Sequence, residues 1–64
     1  MIEICLYKIE NGKLGSFILE YKSPVVPRVG ELIFIKKVYE VVEVTHYING
    51  PRNDGFNWVE VLVQ

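Results

Sequence analysis

The chain has 64 residues, a formal net charge of −1 and an apolar half. That length makes one domain, residues 1–64, near the lower limit at which a core holds a fold unaided. A single cysteine, Cys5, and a single histidine, His46, exclude an intramolecular disulfide and a closed structural zinc site within one chain.

Without those staples a small domain leans on packing or on self-association. A compact β interior cannot hold thirty-two apolar side chains, half of the chain, so some must reach the surface, and a contiguous exposed group of them marks an interface. A protein partner or a second copy, as in a homodimer, is therefore expected. The seven basic residues are dispersed, with Lys36-Lys37 the sole adjacent pair. Nucleic-acid binding normally needs clustered Lys and Arg, so it is disfavoured. Glu3 and Glu10 stand where a signal peptide would be basic and then apolar. No apolar run reaches the length of a membrane span. A lone thiol suits a reducing compartment, so a cytoplasmic protein with no membrane partner is expected.

Val, Ile, Phe, Tyr, Trp and Thr supply twenty-six residues and alanine none. β-branched and aromatic side chains fit a pleated surface, and no window keeps a helical period. The first strand is predicted over residues 2–9, with Ile2, Ile4 and Leu6 on one face. Asn11-Gly12 follows, a pair that tolerates positive φ in a type I′ hairpin turn. The second strand covers 13–21, where Gly15 signals a bulge or bend.

Ser23 to Gly30 carries two prolines and reads as an ordered loop across one end of a barrel. The third strand covers 31–36. Its run Leu32-Ile33-Phe34-Ile35 is apolar on both faces, which predicts a central or covered strand. A tight turn at Lys36-Lys37 leads to the fourth strand, 38–47. There the apolar phase changes between Val41 and Val42, as a β-bulge would require. Ile48 to Gly55 is dense in turn formers. The last strand covers 56–63, with Val59, Val61 and Val63 on one face. Strands one and five are expected as edges if the barrel is not fully closed.

Five short strands with a proline-bearing loop after the second describe an all-β, small five-stranded barrel. The segments Val26-Pro27-Arg28-Val29-Gly30-Glu31-Leu32-Ile33 and Tyr39-Glu40-Val41-Val42-Glu43-Val44-Thr45-His46 carry a resemblance. They are similar to a Pro-x-Val-Gly-Asp/Glu opening followed by a Tyr-x-Val strand in small SH3-like domains of bacterial and phage origin. The resemblance covers about half the chain. It implies an SH3-like barrel and no particular activity, because that fold hosts many roles.

His46 is the sole imidazole, and catalysis would need a nucleophile or carboxylate beside it. A dyad with Cys5 has no support in the spacing, because Cys5 is read as a small hydrophobe in the core. The glutamates alternate with apolar residues, as on solvated strand faces. Glu31 is read as satisfying loop amides. Phosphate-loop, triad and metal-cluster motifs are missing, so neither an enzyme nor a bound cofactor or metal is expected. The candidate binding residues lie at one end: His46, Tyr47, Arg52, Asn53, Asp54, Phe56 and Trp58. Aromatic bodies beside polar groups and one Arg are ingredients of a recognition surface. Val25 to Arg28, opposite Tyr39 and Tyr47, form a second candidate as a peptide groove.

The resulting expectation is a non-catalytic interaction module that binds a protein partner or itself. The alternative is a binder of a small nucleotide-like anion, held by His46, Tyr47, Arg52 and Trp58. In a phage that would sequester a host signal. A third reading is a nucleic-acid-binding barrel that stacks bases on exposed rings.

Overall fold

Alternation decides the first strand. In β1, Ile2–Glu10, the side chains of Ile4 and Leu6 are fully buried, while Cys5 between them and Tyr7 after them stand on the opposite face. Asn11 and Gly12 both take positive φ, 53° and 75°, as a type I′ turn requires, and reverse the chain into β2, Lys13–Ser23. The computed structural model describes residues 1–48 and 57–64.

The β1–β2 hairpin is antiparallel, with register shifts between Leu6 and Tyr7 and between Tyr7 and Ile9. Gly15 lies in the second irregularity. A Cβ at Gly15 would stand 2.5 Å from the Lys8 carbonyl oxygen and 2.5 Å from Cγ of Glu10. The backbone can approach that closely only because glycine has no side chain. The carboxylate of Glu10 closes the bend by accepting from the Ser16 hydroxyl at 2.7 Å and the Ser16 amide at 3.3 Å. Those two donors hold the Glu10 carboxyl below its ordinary range.

After the crossing loop the chain forms β3, Leu32–Ile35, β4, Lys37–Ile48, and β5, Asn57–Val63. β5 lies parallel to β1, pairing Glu3 with Trp58 through Lys8 with Val63. Its other side pairs antiparallel with β4. The strand order is β2-β1-β5-β4-β3, and the five strands curl into a half-barrel. The predicted strands are thus all present, with ends shifted by up to two residues. The expected edges are corrected: β1 and β5 are interior strands, and the edges are β2 and β3. The parallel pairing of β1 with β5 gives each of them neighbours on both sides.

The phase change in β4 is a bulge. Val41 pairs with Val63 and Glu43 with Leu62, so Val42 is the extra residue. It keeps Val41 and then Val44 turned toward the core. Ile4, Leu6, Val41, Val59, Val61 and Val63 form the buried cluster. Ile33, Ile35, Tyr39, Tyr21 and Val26 pack around it. Val26 belongs to the crossing loop, which therefore caps the open side of the curl.

That loop is tied by named bonds. The Arg28 amide donates to the Glu31 carboxylate at 2.6 Å, and the Glu31 amide donates back to the Arg28 carbonyl at 3.0 Å. Gly30, at φ 91°, donates to the Val41 carbonyl at 2.9 Å. Glu31 thus serves loop amides, as its place beside Gly30 suggests.

β3 departs from expectation. It is neither central nor covered. Leu32 is 69% exposed and Phe34 74%, while Ile33 and Ile35 are half-buried. Phe34 pairs across the hairpin with Val38, which is 58% exposed. The doubly apolar run serves one inner face and one bare outer face.

Candidate functional site

Strand register sorts the candidate residues. Opposed residues of an antiparallel pair share a face. His46 pairs with Val59 and Tyr47 with Trp58. His46 therefore stands on the face opposite to the Tyr47–Trp58 pair. The two rings stack at 4.9 Å with 6° between planes. Arg52, Asn53, Asp54 and Phe56 lie outside the described residues. Of the expected cluster, Tyr47 and Trp58 come together and His46 is parted from them.

The outer face has three rows, each crossing β2, β1, β5 and β4. The first is Lys22, Glu3, Trp58, Tyr47; the second Glu20, Cys5, Glu60, Thr45; the third Phe17, Tyr7, Leu62, Glu43. Four glutamates and one lysine thus share the face with two aromatic pairs. Tyr7 meets Phe17 edge-on at 5.6 Å and 70°. The Tyr47 hydroxyl donates to Glu60 at 3.1 Å, which together with the Glu60 charge raises the phenol above its ordinary range.

Cys5 is corrected as well. It is not a core residue, because Ile4 and Leu6 take the inward positions. Its thiol sits on the outer face and donates to Glu20 at 3.6 Å. Burial is the main cause that raises its pKa above the ordinary thiol value; the bond to Glu20 and the charges of Glu20, Glu3 and Glu60 add to it. His46 is on the other face, so no Cys5–His46 dyad exists. A thiol so held is a poor nucleophile at neutral pH.

The folded thiol prefers its protonated form. That preference adds stability below the unfolded thiol pKa, and the gain is lost as pH rises through the folded value. Alkylation of the native protein by iodoacetamide, followed against pH, is expected to show a midpoint above that of the urea-unfolded chain. Glu20→Gln should lower that midpoint without bringing it to the free value, because burial remains. A native midpoint no higher than that of the unfolded chain would contradict this environment.

A groove of about 690 Å³ opens between the β2 edge, the crossing loop and β3. Tyr21, Val25, Val26, Pro27, Leu32 and Ile33 contribute to its wall. The loop residues Val25 to Arg28 do line a groove, yet the tyrosine facing them is Tyr21, and neither Tyr39 nor Tyr47 takes part. Among the described residues, no group of three or more His, Cys, Asp or Glu side chains is arranged to hold a metal ion.

The feature that sequence reasoning missed is the outer surface of the β3–β4 hairpin. Leu32, Phe34 and Val38 form a bare apolar strip there, and Leu32 continues it into the groove beside Val25. In the structure the strand has four residues and ends in a one-residue turn at Lys36, a shortness that suits an edge strand.

Comparison with protein-family models, curated proteins and solved structures finds no significant match. The curled five-stranded sheet is consistent with a barrel-like fold. No helix among the described residues is long and apolar enough to cross a membrane.

Proposed function

We propose that this chain is a non-catalytic protein-interaction module whose contact face is the outer surface of the β3–β4 hairpin. The observation that carries the reading is the strip Leu32, Phe34 and Val38, each more than half exposed on one short edge hairpin. Val25, itself exposed, lines the groove together with Leu32 and extends this apolar surface. A large aromatic at the centre of such a strip is the usual anchor of an interface.

The outer face around Cys5 supports catalysis less well. His46 stands on the other face, so neither the thiol nor the carboxylates there have a histidine beside them.

The reading is tested by placing a photo-crosslinking amino acid at Val38, and separately at Lys13 in the other hairpin, in cells that make the protein. Adducts identified by mass spectrometry are expected at position 38, with either this chain or another protein, and not at position 13. Absence of any protein adduct at position 38 would overturn the proposal.

A further inference from the structure

The two edges of the half-barrel are unlike. β2 is long but defended: it carries Lys13, Glu20 and Lys22 and is broken by two register shifts. Charges and irregularity on an edge strand oppose pairing with another chain. β3 has four apolar residues, no charge and no irregularity. Among the described residues, no strand pairs with its outer edge.

The charges that flank β3 are of opposite sign. Glu31 precedes the strand, and Glu40 is paired with its first residue, Leu32. Lys36 and Lys37 form its other end. If a second copy added its own β3 in parallel, like charges would meet at both ends. Antiparallel addition brings the Glu31 end of each copy to the Lys36-Lys37 turn of the other.

We infer that the occupant of the hairpin surface is a second copy of this chain, joined by antiparallel β3–β3 pairing about a two-fold axis at Phe34. This rests on the interaction reading above and names its partner. A two-fold axis normal to the sheet keeps the faces matched, so each outer strip meets the same strip. Phe34 then lies opposite Phe34 of the second copy, and Ile33 opposite Ile35 of the second copy on the inner side. The two sheets become one of ten strands. Main-chain bonds supply affinity in such strand addition, and the flanking charges fix its direction.

The test is a charge exchange on the whole chain, with the self-association constant read by sedimentation equilibrium. Glu31→Lys alone, and Lys36→Glu with Lys37→Glu, should each weaken self-association at least about fivefold. An equimolar mixture of the two variants should recover wild-type affinity, because each end again meets its opposite charge. Recovery also shows that both variants are folded. Phe34→Asp should leave a monomer that retains its far-ultraviolet circular dichroism.

A dimer indifferent to both reversals, or a mixture no tighter than its parts, would overturn the inference. So would a chain that stays monomeric at millimolar concentration. In that last case, adducts of position 38 with another protein would leave the interaction reading standing, and their absence would remove both.

Discussion

Leu6→Ala is expected to cost about 2–5 kcal/mol, the usual range for emptying a fully buried leucine site. Leu6 has no exposed surface and sits on an interior strand, opposite Leu19 on one side and Val61 on the other. The neighbours cannot collapse readily onto the gap, because β1 is bonded on both sides. A domain of this size rarely holds more than about 3–5 kcal/mol in total. The variant should therefore lose much or all of its stability at 25 °C, which urea titration followed by circular dichroism will show. Leu14→Ala, at an exposed position of β2, should stay within about 0.5 kcal/mol of wild type. A loss below about 1 kcal/mol for Leu6→Ala would mean that the core is not centred on β1.

Gly15→Ala is expected to cost about 1–3 kcal/mol, the range for forcing atoms into filled space. The added methyl would meet the Lys8 carbonyl and the Glu10 side chain, each at 2.5 Å. The carbonyl belongs to a paired strand and cannot swing aside. The hairpin must open locally, and Glu10 then loses its hold on Ser16. Amide shifts measured by NMR should move over residues 8–16 and stay in place over β3 and the neighbouring half of β4. Ser16→Ala removes one exposed hydrogen bond and should cost much less. Equal stability of Gly15→Ala and wild type would show that the bend does not need glycine.

Local pattern carried most of the strand assignment. Alternation in β1 and β5, the Asn11-Gly12 turn and the phase change at Val42 are local features, and all of them reappear in the structure. Pairing order was not legible. That β1 and β5 lie side by side and parallel depends on contacts more than fifty residues apart, which leave no mark on either strand's own pattern. The misreading of β3 has the same origin. Apolar residues on both faces describe a covered strand equally well whether the cover is this chain or another one. Cys5 was misplaced although Ile4 and Leu6 already claimed the inner face, so alternation itself held the correct answer. Among the candidate site residues, the parting of His46 from Tyr47 and Trp58 also follows from alternation, once β4 and β5 are set in register.

The parallel β1–β5 pair also bears on synthesis. β1 leaves the ribosome first, but its inward residues find one of their two neighbours only when Val59, Val61 and Val63 have been made. Until then the β1–β2 hairpin has a bare side, and an isolated hairpin is marginal in water. Folding must wait for release of the β5 segment, and rates fall when decisive contacts are distant in sequence. A nascent chain stalled before residue 59 should accordingly be protease-sensitive throughout and hold no stable partial fold.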